Sequence, residues 1–334
     1  RIEVSEDGKN FTKVFEGEVS LAWRRQYCGI FEAKAGGVIY YLIDNEYYFC
    51  RGGASAYGHG DDGERFAFFC RAVVDLLPDL DFFPDVLHAH DWQAALSVVY
   101  LNCIYRNREG YRDIRTAFTI HNIEYQGQYD FAMLQDVFAI RPEFYTLMAY
   151  DGCINLAKAA VECADRVTTV SPTYAQEIMT PTYSHRLHFI LARYARKVSG
   201  ILNGIDQVYY HPAADSEIPF EFTSEDVSGK AKCKLAFQKE YGLPEDADAP
   251  MMAVISRLAS HKGVDIIAVK GTSRYAIQCK RYASPLGNKP VQEVYTGKAF
   301  AGLVAMAKEG AFKPDDRVLF LHSGGAGGLF AVGV

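Results

Sequence analysis

Two stretches of sequence decide the fold: Asp85-Val-Leu-His-Ala-His-Asp-Trp92 and Thr116-Ala-Phe-Thr-Ile-His-Asn-Ile-Glu-Tyr-Gln-Gly127. Each is a short apolar run that stops at polar residues, a pattern typical of a buried parallel strand whose carboxyl end carries functional groups. Because the carboxyl ends of neighbouring parallel strands meet at one edge of a sheet, these polar residues should face one cleft. The residues expected there are His88, His90, Asp91 and His121.

The chain around these stretches alternates predicted strands and helices, which indicates an α/β protein with a parallel sheet. An alternating segment on either side of Gly36-Gly37 predicts an antiparallel hairpin over 26–50. Ser171-Pro172 predicts a helix start, since Ser caps helices and Pro suits their first position. Further helices are predicted over 64–77, 93–105, 154–164, 185–196, 230–241, 275–282 and 298–308, and further strands over 166–170, 198–202, 251–255 and 317–321.

Composition restricts the class of partner. The 334 residues are 49% hydrophobic and 23% charged, as in an ordinary globular protein of about two domains. The net charge is -6 and no dense basic run is present, so neither nucleic acid nor an anionic membrane is an expected partner. No apolar run approaches the roughly 20 residues of a membrane span. Eight cysteines without a C-x-x-C pair predict reduced thiols and a cytoplasmic location.

The histidine cluster suits two different chemistries. The strand spacing of His88 and His90, with His121 on the next strand, is typical of zinc sites in hydrolases. Alternatively, Asp91 could accept protons from sugar hydroxyls while His121 donates to the sugar. Two aromatic residues could then cover the apolar face of the sugar ring: Trp92 and Tyr125. These residues alone leave both chemistries open.

Two later segments could contact a phosphorylated ligand. Arg257 and Lys262 lie five residues apart across a predicted strand-to-helix turn, where free N–H groups of a helix would also suit a diphosphate. A solvated basic loop has the same pattern. Asn203-Gly204 ends another predicted strand, where it favours a turn with ligand contact as an added role.

Five segments carry a family resemblance by their order and spacing: His88–Gln93, Phe118–Gly127, Ala164–Ala175, Gly200–Asp206 and Ser256–Val264. Together they resemble bacterial glycogen synthase and plant starch synthase over residues 1–267. The resemblance implies a GT-B glycosyltransferase, in which two Rossmann-like domains face each other across a cleft. It further implies ADP-glucose as donor, the non-reducing end of an α-1,4-glucan as acceptor, and retention of configuration without a metal or cofactor.

The same resemblance implies roles for individual residues. Arg257 and Lys262 would neutralise the ADP diphosphate as it leaves, which stabilises the charge that develops in the transition state. His121 would contact the glucosyl group and Asp91 would hold a sugar hydroxyl. Asn203 would lie beside the donor.

The resemblance also implies a division of the chain. Residues 1–197 correspond to an incomplete GT-B N-terminal domain and 198–267 to the start of the second domain. Residues 268–334 differ: Val294–Leu303 and Arg317–Ala326 resemble the carboxyl end of D-cysteine desulfhydrase and aminocyclopropane-carboxylate deaminase, which are pyridoxal-phosphate enzymes. Their Schiff-base lysine lies in a part that has no counterpart here, so pyridoxal phosphate is not an expected cofactor.

Two further expectations concern activity. The Lys-x-Gly-Gly-Leu segment of the family and much of its second domain have no counterpart, so the chain is expected to be truncated at both ends and joined to a foreign tail near 267–273. Such a chain is expected to be inactive, or to bind glucan without turnover. A metal-dependent hydrolase that uses His88, His90 and His121 remains the alternative from a different class.

Overall fold

The computed structural model describes residues 11–35, 37–50, 58–207, 210–249, 251–254, 265–270, 273–278 and 319–322. Contacts divide the chain into two units, Arg1–Gly204 and Ile205–Val334.

The described part of the first unit contains ten strands and eight helices. The strands are β1 Thr12–Leu21, β2 Arg24–Ala35, β3 Val38–Asp44, β4 Val86–His90, β5 Arg115–Ile120, β6 Gln128–Tyr129, β7 Ala149–Tyr150, β8 Cys153–Asn155, β9 Arg166–Thr169 and β10 Val198–Gly200. The helices are α1 Glu46–Phe49, α2 Asp62–Asp75, α3 Asp91–Tyr100, α4 Met133–Asp136, α5 Tyr145–Met148, α6 Leu156–Cys163, α7 Pro172–Glu177 and α8 His188–Arg193. A π-helical turn, Leu101–Tyr105, continues α3.

The predicted hairpin is present, since β2 and β3 pair antiparallel. Gly37 in its turn has a φ of +79°, a left-handed conformation that glycine adopts at little cost. β1 adds a third strand by pairing antiparallel with β2. Only Val19 and Leu21 of its residues are buried, so its sequence has no clear alternation of apolar and polar residues.

A parallel sheet forms the centre of the first unit. Its strand order is β10-β9-β5-β4, and every neighbouring pair is parallel. Phe118 of β5 and Val167 of β9 are fully buried, as is Val161 of α6. The predicted α/β, Rossmann-like arrangement is therefore confirmed. The burial expected of the run at 85–88 is not found, because β4 lies at the edge of the described sheet and Val86 is 53% exposed.

Side-chain caps set where two helices begin. The Ser171 hydroxyl accepts a backbone N–H in the first turn of α7, as predicted. The helix predicted over 154–164 begins later, at Leu156, because Cys153–Asn155 forms β8 and Asn155 Oδ1 caps α6. The cap accepts the backbone N–H of Lys158 at 2.9 Å.

The contact-based units and the predicted domains are divided at different residues, and the domain boundary stays a prediction. The sequence places a boundary at 197/198, whereas the contacts divide the chain after Gly204. The reason is that β10 pairs in parallel with β9 and so completes the sheet of the first unit.

The second unit contains one described helix and four described strands: α9 Ser228–Glu240, β11 Met251–Val254, β12 Asp265–Lys270, β13 Ser273–Gln278 and β14 Leu319–His322. β11 pairs in parallel with β14, at two predicted strands. The helix predicted over 275–282 is wrong in its described part, because β13 pairs antiparallel with β12 there and its Tyr275 and Ile277 suit a strand. The helix predicted over 298–308 lies outside the described residues.

Two expectations from the composition concern membrane-spanning segments and cysteines. In these ranges, no helix has the length and apolar character needed to cross a membrane. The seven cysteines among them are all free thiols.

Candidate functional site

The two sequence stretches end side by side in the structure. β4 and β5 are parallel neighbours, with His90 opposite Thr119, so the residues that follow them share one edge of the sheet. The rings of His90 and His121 are hydrogen-bonded, with 3.0 Å between Nδ1 of His90 and Nε2 of His121. The carboxylate of Asp91 accepts the backbone N–H of His121 at 2.8 Å. The structure thus brings together the residues that the sequence placed in one cleft.

His88 belongs to the same cluster, but its ring is hydrogen-bonded to a side chain of the neighbouring strand β5. Its ring centroid lies 4.2 Å from that of His90. Its Nε2 is hydrogen-bonded to the Thr119 hydroxyl at 2.7 Å, and that hydroxyl is bonded to the Thr168 hydroxyl at 2.6 Å. A hydrogen-bonded chain of side chains therefore crosses three neighbouring strands.

These bonds bear on the metal alternative. Ring nitrogens of all three histidines take part in hydrogen bonds to other side chains. Across the described ranges, no group of three or more His, Cys, Asp or Glu residues is arranged to hold a metal ion. The geometry therefore favours a hydrogen-bonded polar surface over the zinc cage that the spacing of His88, His90 and His121 permits.

Asp91 adopts an unusual backbone conformation at the start of α3. Its φ is +57°, in the left-handed region that few residues other than glycine enter and that Asp tolerates better than most. Such strain persists where the surroundings enforce it, and it clusters at functional sites. Here it turns the carboxylate of Asp91 toward the loop that follows β5.

That loop, His121–Gly127, is called the site loop. Beyond Asp91 it is held by residues outside the two strand ends. The Tyr174 hydroxyl of α7 accepts the backbone N–H of Ile123 at 3.2 Å. Gln126 donates to the carbonyl of His185 at 3.0 Å and accepts from the Asn155 amide at 2.6 Å. Tyr174 lies in a segment that carries the family resemblance, but nothing in the sequence assigns its hydroxyl to this loop.

The two aromatic residues expected to cover a sugar ring differ in their exposure to solvent. Trp92 is only 9% exposed and its ring packs edge-on against Phe66, so it does not serve as a sugar platform. Tyr125 is 52% exposed on the site loop. Gly127 ends the loop with a φ of +64°, and a Cβ at this position would lie 2.8 Å from the Trp92 ring.

Three predicted site residues remain: Asn203, Arg257 and Lys262. Asn203 is exposed in the segment after β10. Arg257 and Lys262, the predicted diphosphate pair, lie outside the described residues. The described residues therefore include the histidine cluster and Asp91 but not the predicted diphosphate pair.

The protonation of His90 is shifted by its surroundings. Partial burial, followed by the neighbouring rings of His88 and His121, lowers the pKa of His90 below its ordinary value, and Asp91 offsets part of this. The cluster therefore favours a neutral His90, which can share one hydrogen with His121.

Acidification is expected to destabilise the folded chain through His90. Because folding lowers the pKa of His90, the unfolded chain takes up this proton first as the pH falls below about 6.5. Stability present above that pH is then lost as the pH falls through the folded-state pKa. Urea unfolding between about pH 7.5 and pH 5 measures this loss. The variant His90→Gln should lose less stability over the same range, and an equal loss in both proteins would contradict the assignment.

Comparisons with known proteins identify the family. A family model described as the starch synthase catalytic domain matches residues 2–193. The chain belongs to the starch synthase catalytic domain family. Curated relatives include proteins called glycogen synthase from Streptococcus pneumoniae serotype 2 and serotype 4, each 46% identical over 78% of this chain. The chain covers 54% of their length and so spans about half of the curated relatives that it matches.

A solved member of the starch synthase family has the same fold. The catalytic domain of Starch Synthase IV from Arabidopsis thaliana, bound to ADP and acarbose, is 28% identical and superposes with a TM-score of 0.68. The match covers 95% of this chain and 64% of that one. The GT-B, Rossmann-like fold class implied by the sequence motifs is thereby confirmed.

Residues toward the end of the chain match a different family model. A second family model, described as restriction endonuclease, matches residues 252–312, a minority of the chain. Nothing in these comparisons supports the resemblance of residues 268–334 to pyridoxal-phosphate enzymes, which stays a prediction. Most of this segment lies outside the described residues.

Proposed function

We propose that this protein is a retaining glucosyltransferase that moves glucose from ADP-glucose to the non-reducing end of an α-1,4-glucan. Membership of the starch synthase family supports this reaction, as do relatives called glycogen synthase. The solved relative is described as bound to ADP and acarbose. The observation that carries the proposal is the double attachment of His121, through its ring to His90 and through its backbone to Asp91.

These two hydrogen bonds leave one polar atom of His121 and one of Asp91 to contact a sugar. His121 uses Nε2 to bond His90, which leaves Nδ1 for the glucosyl group. Asp91 uses Oδ1 to bond the site loop, which leaves Oδ2 to accept a proton from a sugar hydroxyl. Groups fixed in advance lose little freedom when the substrate binds, so their contacts favour the transition state.

The donor side of the proposal rests on the family. Arg257 and Lys262 would bind the diphosphate and neutralise its charge as it leaves, and Asn203 would lie beside the donor. Residues 1–197 would form the GT-B N-terminal domain and 198–267 the start of the second domain, with 268–334 as a separate tail. No cofactor or metal enters this scheme, and a cytoplasmic location, expected from the cysteines, belongs to the same proposal.

The direct test is glucosyl transfer by the purified 334-residue chain. If the proposed transfer occurs, incubation with labelled ADP-glucose and glycogen gives label in the polymer that an α-1,4-specific amylase releases, whereas the inactivity expected of a truncated chain gives none. The variant His121→Ala should lower the rate by about 100-fold or more, as expected for loss of a group that contacts the reacting sugar. Asp130→Ala, which alters a neighbouring surface loop, serves as the control. Incorporation no higher than in a boiled sample would contradict the proposal, and retention on glycogen without incorporation would favour a glucan-binding remnant.

A further inference from the structure

The sequence contains two tryptophans, and the structure treats them in opposite ways. Trp92 is buried beside α2, whereas Trp23 is 73% exposed in the turn between β1 and β2. The preceding residue, Ala22, has a φ of +53°, a strained conformation for alanine. Single exposed apolar residues are common on protein surfaces, so the case for Trp23 depends on how its ring is held.

The exposed indole of Trp23 is held in place from two sides. Its Nε1 donates to the carboxylate of Asp136 at 2.7 Å. The Arg24 guanidinium lies over the ring, 4.3 Å from its centroid. The ring therefore has one face covered by Arg24 and its orientation fixed by Asp136. A ring fixed before binding loses little freedom when a ligand covers it.

Arg24 is in turn fixed by two acidic residues. Its Nε pairs with Glu64 at 3.2 Å and its Nη2 with Asp136 at 3.1 Å. The Tyr48 hydroxyl donates to the same Glu64 carboxylate at 2.6 Å. Hydrogen bonds from Trp23 and Arg24 also lower the pKa of Asp136. Since the cation over the ring is neutralised by these carboxylates, the surface around Trp23 suits a neutral ligand better than an anionic one.

We propose that Trp23 is a surface platform for an α-glucan. Glucose rings have apolar faces of C–H groups, which a flat indole covers, and rims of hydroxyls, which the polar atoms of Arg24 and Asp136 can bond. The proposal rests on the proposed function in one respect: the acceptor of that reaction is a long neutral polymer. A second contact on the same polymer raises the effective concentration of its reacting end.

The platform and the candidate active site lie on different sheets of the first unit. Trp23 lies in the turn that joins β1 to β2 of the antiparallel sheet, whereas His121 and Asp91 lie at the edge of the parallel sheet. The platform is therefore expected to contribute to binding of long glucans and not to the chemical step.

Tryptophan fluorescence tests the platform without requiring activity. Iodide quenches exposed indoles, so Trp23 should account for most of the quenching and buried Trp92 for little. Adding glycogen or maltoheptaose is expected to reduce iodide quenching and shift the emission to shorter wavelength. The variant Trp23→Phe, which keeps a flat ring, removes the signal and leaves Trp92 as a check of folding.

Affinity electrophoresis through gels containing glycogen tests the same surface by a second route. Trp23→Ala is expected to weaken retardation by about ten-fold in Kd, which corresponds to roughly 1.4 kcal/mol. Trp23→Phe should keep part of the retardation. Phe189→Ala is the matched control, because Phe189 is 72% exposed and lies in α8.

Three outcomes would overturn the proposal: no protection of Trp23 by either glucan, equal retardation of wild type and Trp23→Ala, or protection that rises with protein concentration without glucan. The last outcome would assign the indole to a contact between two copies of the chain. Glucan protection of Trp23 in a chain that fails to transfer glucose would support the platform while contradicting the proposed function, so the two failures are distinguishable.

Discussion

Replacing Lys158 with methionine is expected to lower the free energy of unfolding of the first unit by about 3 to 5 kcal/mol. Lys158 is only 5% exposed in α6. Its Nζ donates to the carbonyls of Thr146 and Leu147 at 3.0 and 2.9 Å and pairs with Glu162 at 3.1 Å. Methionine keeps the length of the side chain but removes every donor, so it leaves a carboxylate and two carbonyls without this partner.

Urea unfolding followed by circular dichroism measures this loss. The double variant Lys158→Met with Glu162→Met should recover part of it, because no charge is then left without its partner. Lys13→Met is the surface control, since the pair between Lys13 and Glu16 is exposed and should contribute little to stability. A loss below about 1 kcal/mol for Lys158→Met would show that this buried network is not a main source of stability.

Replacing Asp91 with alanine is expected to release the site loop. The change removes the acceptor for the backbone N–H of His121. Loss of a hydrogen bond to a charged group, worth about 1.5 to 3 kcal/mol, should speed hydrogen exchange of this amide by about 10-fold to 100-fold. Asp91→Asn should change exchange far less, because its amide oxygen can still accept and asparagine tolerates a positive φ.

Hydrogen exchange followed by mass spectrometry on peptides spanning 118–127 gives the measurement, whether or not the chain is active. Asp130→Ala is the matched control. The Asp130 carboxylate accepts the N–H of Ala132 in a similar way, but in a different loop. Unchanged exchange at His121 in Asp91→Ala would contradict the anchoring role.

The sequence predicts the site best where one short segment determines the outcome. The apolar run before His121 is buried in β5, and parallel pairing with β4 places both strand ends together, although Val86 of β4 is 53% exposed. The hydroxyl of Tyr174 reaches the site loop only through the folded arrangement of α7, so spacing along the chain carries no sign of it.

The errors and omissions in secondary structure have similar causes. β1 is stabilised mainly by backbone pairing with β2, and its mostly exposed side chains give little apolar signal. β13 resembles a helix by local composition, but pairing with β12 determines its state. The helix over 154–164 starts late because a strand and the cap at Asn155 compete for its first residues. Strand pairing or a side-chain cap thus overrides the preference of the individual residues in each case.

The lack of space at Gly127 has a consequence for engineering. A side chain there would collide with the Trp92 ring, and Asp91 holds the other end of the site loop, so both ends of the loop are held by neighbouring residues. Tyr125 lies between these two ends and is 52% exposed. Position 125 is therefore a practical starting point for a saturation library, because half of its side chain is exposed and the loop is held at both ends.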